Sequence, residues 1–250
     1  TFKIVINFLA GLILFLYGIT LLSKGIKYLA KERVKGIISK FTTNRFAGVG
    51  SGLFATTIFD SSSVAIIMAI AFVNAGALTS LQSLGVVLGA NLGTTISSQI
   101  IAFDLYEYAP IAMFLGFLLF SLNNKKKTKK IGVVIFGIGM IFFGLKEMGD
   151  SMRPLQDNAT FLLWMKSVEN PLIGVVVGAA FTVVIQSSSA TLGIIITLAS
   201  QGMISLPAGI ALMMGAEIGT CADTLVATIG RTRDAVKVGV FHLLFNVICV

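Results

Sequence analysis

Charge is what this 250-residue chain has least of. Asp, Glu, Lys and Arg together make up 12% of it, about half the roughly 25% carried by water-soluble domains. Histidine and tryptophan occur once each, cysteine twice and proline four times. Cys221 and Cys249 lie in apolar segments without metal-ligand spacing and read as small core residues, not as a redox pair or a zinc site. The single His242, also in an apolar segment, reads as a hydrogen-bonded helix contact, and no aspartate is set beside it to build a Ser-His-Asp system. A phosphate-gripping Walker loop and a zinc motif are both missing. An enzyme is the least expected class, and no cofactor is implied.

What fills the chain is apolar: 56% of its residues are hydrophobic and the mean hydropathy is +0.93. The apolar runs are long and show no strand alternation, so helices are expected to cross a bilayer, not the strands of a barrel. A length of 250 residues allows one compact membrane domain over 1–250. The net charge of +8 would suggest nucleic acid in a soluble protein; here the basic residues sit between apolar runs, where they set orientation. The lipid bilayer is the expected partner, nucleic acid is not, and a homo-oligomer is left open. The N-terminal apolar stretch has no small-residue cleavage site after it, so a retained helix is expected.

The tripeptide Ser-Ser-Ser occurs twice in this apolar background, at Ser61–Ser63 and Ser187–Ser189, 126 residues apart. The same offset maps Gly18 to Gly144, Asn44 to Asn170, Gly52 to Gly178, Thr56 to Thr182 and Gly76 to Gly202. It also carries Gly89-Ala90-Asn91-Leu92-Gly93-Thr94 onto Gly215-Ala216-Glu217-Ile218-Gly219-Thr220 without a gap. Two copies of one polar-in-apolar unit, 3–124 and 129–250, point to a transporter built from repeats.

Each copy reads alike. Phe2 to Leu22 is long enough to cross a membrane, and a basic segment follows over 24–45, with a net charge of +6. The stretch 46–74 is broken at Asp60 to Ser63 into halves too short to span, which suggests a re-entrant hairpin or a broken helix. Leu81 to Phe103 and Tyr108 to Leu122 read as spans, joined by a loop with Asp104 and Glu107. In the second copy Ile131 to Met148 spans, 149–170 is a polar connector, 171–200 is broken at Gln186 to Ser189, Leu206 to Ile229 spans, and Ala235 to Val250 begins another span.

If both hairpins enter and leave on one side, three basic stretches share a face: 24–45, Lys125 to Lys130, and the loop with Arg231, Arg233 and Lys237. The acidic 104–107 loop and the 149–170 connector, net −1, share the other. The positive-inside rule makes the basic face cytoplasmic and puts the N-terminus outside. Three full spans then separate corresponding points, so the copies are inverted. The expected fold class is an all-α integral membrane protein of two inverted-topology repeats, each with a re-entrant helical hairpin and full transmembrane spans.

The polar residues at membrane depth divide by chemistry. A helix break leaves backbone N–H groups unpaired at a positively polarised terminus, and serine caps such ends while adding donors, so each triplet forms a small anion cradle. A plainer reading is that small hydroxyl residues let membrane helices pack closely; two triplets at equivalent breaks favour the cradle. Asp60, Gln186, Glu217 and Asp223 offer oxygens suited to a hard cation such as Na⁺, or make interhelical hydrogen bonds. Glycines flanking Asn91 and Glu217 allow close approach or local unwinding, and Thr94, Thr95 and Thr220 can then supply oxygens.

Gln186-Ser187-Ser188-Ser189-Ala190-Thr191, its partner Ser61–Ser63 and the paired Gly-Ala-Asn/Glu-x-Gly-Thr elements closely resemble the sodium-dependent phosphate cotransporter family, the type II Na⁺/phosphate cotransporters with their bacterial relatives. His242-Leu243-Leu244-Phe245-Asn246 is similar to a segment that follows the second repeat in bacterial members. The resemblance implies secondary active transport of inorganic phosphate coupled to Na⁺ in a multi-pass protein of the cell membrane, by alternating access. It implies an anion site of Ser61, Ser62, Ser63, Ser187, Ser188, Ser189, Asn91 and Thr94. The implied cation ligands are Asp60, Gln186, Glu217, Thr220, Thr95 and Asp223. The family usually has Gln where this chain has Asp60, and commonly Asn where it has Glu217. Both changes add negative charge, which keeps open an H⁺- or Na⁺-coupled transporter of another small anion or a zwitterion on the same scaffold. A passive channel or a signalling membrane module is the remaining class.

Overall fold

The apolar runs become helices because a helix satisfies every backbone polar group within the segment, which lipid cannot do. A computed structural model describes residues 2–38, 45–103 and 105–250, and the side chains of these apart from 30–38, 45, 97 and 100. The helices are α1 (Phe2–Ile38), α2 (Arg45–Phe59), α3 (Ser62–Asn74), α4 (Ser80–Ala102), α5 (Ala109–Leu122), α6 (Lys126–Met152), α7 (Ala159–Ser167), α8 (Pro171–Ile185), α9 (Ser188–Ser200), α10 (Leu206–Val226) and α11 (Arg233–Cys249). Two 3₁₀ turns, Tyr106–Tyr108 and Arg153–Leu155, complete the set, and no strand occurs among the described residues. Lys40 and Asp104, counted in the two charged faces, lie outside the described residues.

Local chemistry sets the ends. The Asn158 side chain accepts from the Phe161 N–H at 2.9 Å and starts α7, and Asn170 accepts from Leu172 N–H at 3.1 Å ahead of α8. Pro171 occupies the first position of α8, where its missing N–H would have had no partner. Thr232 caps α11 by accepting from the Ala235 N–H at 3.4 Å. The chain leaves α3 and α9 through Gly76 and Gly202, with φ of 71° and 68°; both φ values fall in the left-handed region that glycine tolerates.

The 126-residue offset reappears in the helices. α2 and α8 begin and end one offset apart, α3 and α9 do the same, and α4 and α10 start one offset apart. The copies diverge after α6. Whereas α1 runs unbroken into the basic segment, the corresponding stretch of the second copy ends at Met152 and restarts as α7. Lysine and arginine are good helix formers, which lets α1 continue past the apolar run to Ile38.

Among the described residues three helices are long and apolar enough to cross a bilayer: Phe2–Leu29 within α1, Lys126–Leu155 around α6, and α10. Counting α7 and α8, bent by 102°, as one broken span would give four. The spans expected over 81–103 and 108–122 are not among them. α5 has 14 residues and is about 21 Å long, short of the roughly 30 Å hydrocarbon layer. α4 has the length, but Asn91, Thr94, Thr95, Ser98 and Gln99 dilute its apolar character. Large apolar side chains lie bare on the surface, among them Leu172 at 78% and Val184 at 81% exposure, as expected where lipid is the solvent.

The chain divides into two compact units, each drawing on both copies. Thr1–Leu29, Ile101–Val177 and Ala190–Met213 form one; Ala30–Ile100, Gly178–Ser189 and Met214–Val250 form the other. In the first, α1 and α6 meet along glycines spaced by seven. A methyl group on Gly11 would lie 2.7 Å from the Met148 nitrogen and 2.8 Å from the Gly144 oxygen; one on Gly18 would lie 2.8 Å from the Gly137 oxygen. Gly25 faces Val134. Rising numbers on α1 thus meet falling numbers on α6, so the two run antiparallel. Phe15, Phe142, Leu145 and Met148 are buried in this unit. α5 lies antiparallel to α6, with Gly116 against Phe136 and Gly139 against Ala109 and Met113.

In the second unit Gly48 abuts Gln82 and Gly85, Gly52 abuts Val86 and Ala90, and Gly93 abuts Leu53 and Thr56. α2 and α4 are therefore parallel. Ile66, Ile70, Val86, Val87 and Val238 form the buried centre, drawing on α3, α4 and α11. Of the two cysteines, Cys221 is buried as expected, but Cys249, the last residue of α11, is exposed.

Candidate functional site

The site lies within the second unit and is made at two helix breaks. α2 ends at Phe59 and α3 starts at Ser62, leaving Asp60 and Ser61 to reverse the chain. Asp60 does this with a left-handed backbone, φ 50°. Ser61 is extended, at φ −162° and ψ 113°, and its hydroxyl accepts from the Val64 N–H at 3.3 Å. The second break repeats this arrangement: Gln186 has φ 56°, and Ser187 directly precedes α9. Ser62 and Ser188 are the first helical residues after each break, and Ser63 and Ser189 are buried.

Both breaks face the same cavity of about 210 Å³, below the roughly 300–1,000 Å³ of sites for drug-sized ligands. Its lining comprises Asp60, Ser61, Ser62, Ser63, Thr182, Gln186, Ser187, Ser188, Ser189, Thr220 and Asp223. Six serines and two threonines bring hydroxyl donors, and α3 and α9 bring their positively polarised N-termini. Among the described residues no Lys or Arg lines the cavity. A small oxyanion and a hard cation are the two kinds of ligand this oxygen-rich, cradle-like lining can take. Among the described residues no group of three His, Cys, Asp or Glu side chains could hold a metal ion, so a cation here would lean on hydroxyl, amide and backbone oxygens.

All six serines of the expected anion set are in the lining, as are Asp60, Gln186, Thr220 and Asp223 of the expected cation set. Asn91, Thr94, Thr95 and Glu217 are not among the lining residues. Asn91 donates from Nδ2 to Asn246 Oδ1 at 2.8 Å, and Asn246 donates to the Glu217 carbonyl at 2.8 Å. Asn246 thus ties together the two positions that the repeat makes equivalent. Thr94 and Thr220 turn their hydroxyls back on the helix, to Ala90 and Ala216 carbonyls at 3.3 and 2.8 Å, and Thr95 is exposed. His242 is a buried helix contact, as expected. Its Nδ1 lies 2.9 Å from Thr224 Oγ1 and its Nε2 3.2 Å from Asn246 Nδ2. With the Thr224 hydroxyl directed to the Cys221 carbonyl at 2.9 Å, these partners assign the ring hydrogen to Nδ1. Thr182 was not expected in the site; its signal was the offset that pairs it with Thr56.

The sequence model of the Na⁺/Pi-cotransporter family matches the chain twice, over residues 14–150 and 143–250. The chain belongs to the Na⁺/Pi-cotransporter family. It is accordingly a transporter sequence and not an enzyme. Similar proteins include YqeW of Bacillus subtilis, 28% identical over 248 residues that cover 98% of this chain and 80% of YqeW. YjbB of Escherichia coli K12, named for inorganic phosphate export, is 24% identical over 244 residues, 97% of this chain but 45% of YjbB. Human sodium-dependent phosphate transport protein 2B is 35% identical over 67 residues, 27% of this chain and 10% of that protein. The chain therefore spans most of YqeW but less than half of YjbB. No solved structure matches it.

Proposed function

We propose that this chain is a secondary active transporter that couples Na⁺ movement to transport of inorganic phosphate, with the anion held between the two Ser-Ser-Ser motifs. The observation that carries this reading is that Ser61–Ser63 and Ser187–Ser189, 126 residues apart, line one cavity. The cation belongs beside the anion, on Asp60, Gln186, Thr220 and Asp223, whose side-chain oxygens line the same cavity. Asn91 and Glu217 support the site from behind, through the contacts of the Asn91 side chain and the Glu217 carbonyl with Asn246.

Alternating access by inverted repeats fits the helix directions. α1 and α6 hold equivalent places in the two copies and run antiparallel. α2 and α4 run parallel although only two residues separate α2 from α3 and five separate α3 from α4, so α3 has to run back between them as a hairpin. In the second copy Gly174 meets Ala211, and Gly219 meets Ala179 and Thr182, which gives α8 and α10 the same parallel relation. Hairpins opening to opposite faces of the cell membrane, with the N-terminus outside, would expose one anion cradle to each side in turn.

Phosphate flux in proteoliposomes under an imposed Na⁺ gradient of either direction tests the assignment. Replacing Ser62 and Ser188 by Ala removes a hydroxyl donor from each cradle. At about 1.5–3 kcal/mol for a hydrogen bond to a charged group, flux at sub-saturating phosphate should fall roughly 100-fold or more. Full Na⁺-driven flux in the double variant would sink the assignment. A second reading is favoured by the two carboxylates in the lining: the same scaffold carrying another small anion or a zwitterion with H⁺. Flux that ignores Na⁺ and follows a pH gradient would select it.

A further inference from the structure

Helix α7 turns apolar side chains outward. Phe161 and Met165, one turn apart, are half-buried, whereas Leu163 and Trp164 are each 66% exposed and Leu162 is exposed beside them. Water is a poor surrounding for three adjacent side chains of this kind. Polar residues bracket them at both ends, Asp157 and Asn158 before the helix and Lys166, Ser167, Glu169 and Asn170 at its close. Asn158 caps the first turn by accepting from the Phe161 N–H. The Ser167 hydroxyl donates to the Trp164 carbonyl at 2.6 Å in the last.

The helix that follows sets the direction of α7. α8 holds no charged residue, and Thr182 is its one polar side chain. Leu172, Val176 and Val184 stand exposed along it, a surface suited to lipid and not to water. α7 is bent from α8 by 102° across Val168 to Asn170. Helices in a bilayer tilt by about 20° from its normal, so a helix bent this far from one of them runs within about 30° of the membrane plane. The nine residues of α7 are about 14 Å long, too short to cross the roughly 30 Å hydrocarbon layer. Its polar ends then lie at one depth, among headgroups, and its apolar middle meets the upper acyl chains. Tryptophan is enriched at that depth. The stem of Lys166 can lie along apolar surface while its ammonium reaches a lipid phosphate.

We propose that α7 is an interfacial anchor, lying along the membrane surface with Leu162, Leu163 and Trp164 among the upper acyl chains of a phospholipid leaflet, and not the first half of a broken span. The partner is the bilayer itself, continuous with the lipid that covers the exposed side of α8. Because α7 directly precedes α8, the anchor ties the start of that helix to the membrane surface. It holds for whichever solute the chain carries, so a failure of the phosphate assignment leaves it standing.

Trp164 is the single tryptophan of the chain, so the emission of the unmodified protein reports on α7 alone. The purified full chain is reconstituted into phosphatidylcholine vesicles whose acyl chains carry bromine either near the headgroup end or near the methyl end. Acrylamide is titrated in separately. The shallow bromines should remove more of the emission than the deep ones, and acrylamide should remove less than it does from free tryptophan. A second reporter, Thr160→Trp with Trp164→Phe, replaces an exposed side chain one turn away, about 6 Å along the axis. Its quenching depth should fall within about 3 Å of the first. Deep bromines quenching more strongly, or reporters that differ in depth by about 6 Å, would make α7 part of a span and overturn the proposal. So would quenching by acrylamide alone, which puts α7 in water, or shielding from bromine and acrylamide alike, which puts it against protein such as a second copy of the chain.

Discussion

Asp60 and Gln186 share a left-handed backbone, at φ 50° and 56°, and among the described residues no other non-glycine residue does. Each ends a short helix and hands the chain to a serine triplet. Glycine would make the turn without a steric penalty, whereas an L-residue there costs roughly 1–2 kcal/mol, less for Asp than for Gln because a short polar side chain tolerates this region. Both places instead hold a side chain that lines the cavity, so backbone ease has been given up where ligand chemistry is to be done. Gln186→Gly should therefore unfold at the same temperature as the parent or higher, with a gain of up to about 1 kcal/mol after the entropic disadvantage of glycine. Gln186→Val should unfold earlier, since a β-branched residue is a poor fit at positive φ. Thermal unfolding in detergent measures both, and a glycine variant less stable than the valine variant would refute the strain. Na⁺-driven flux should drop in both.

Asn91 of α4 and Asn246 of α11 are joined side chain to side chain. Their hydrogen bond is 2.8 Å long, and Asn91 Oδ1 is buried without a partner of its own. Replacing Asn246 by Ala strips Asn91 of its acceptor and the Glu217 carbonyl of a donor, which should lower stability by about 1–3 kcal/mol. If Asn91 acts through this contact, Asn91→Ala and Asn246→Ala should be non-additive, with a coupling of about 0.5–3 kcal/mol in a double-mutant cycle on unfolding. Additive losses would place Asn91 in a separate role, such as a direct ligand of the anion.

How far the sequence reaches is clearest at these positions. Asp60 to Ser63 and Gln186 to Ser189 are legible as breaks because four consecutive polar residues inside an apolar run leave the helix little to bury, and serine caps the next one. Gly18 and Gly144 are legible as a pair through the offset, and both fall on the α1–α6 seam. The direction of Asn91 is not legible, since it depends on how α4 is rotated about its own axis, and each residue turns by about 100°. Glu217 illustrates the same limit along a helix. It lies one turn before Thr220, about 5 Å away along α10, close enough to share a motif yet far enough that Asn246 of α11 takes its carbonyl. Asn246 is itself invisible as a partner because the bond joins residues 155 positions apart. Helix α7 was hidden inside a stretch read as a polar connector, although Leu162, Leu163 and Trp164 are its most exposed large apolar side chains.

Charge and helix direction together predict sidedness. α6 has 27 residues, about 40 Å at 1.5 Å per residue, more than the roughly 30 Å of a hydrocarbon core. Its basic start and the acidic connector after it should therefore face opposite sides, with Lys125 to Lys130 cytoplasmic. Cys249 is exposed and Cys221 buried, so Cys249→Ser gives a background with little thiol reactivity. On it, Asp157→Cys should react with a membrane-impermeant maleimide in intact cells. Lys127→Cys and Arg231→Cys should react only after permeabilisation. Lys127→Cys and Asp157→Cys labelling from one side would mean that α6 does not cross, and the antiparallel contact of Gly18 with Gly137 would then join two helices of one face. Labelling of Lys127→Cys and Arg231→Cys from opposite sides would break the inversion instead: after α6 carries the chain out, only a hairpin of α8 and α9 that returns to its own side lets the single crossing of α10 bring it back to the basic face.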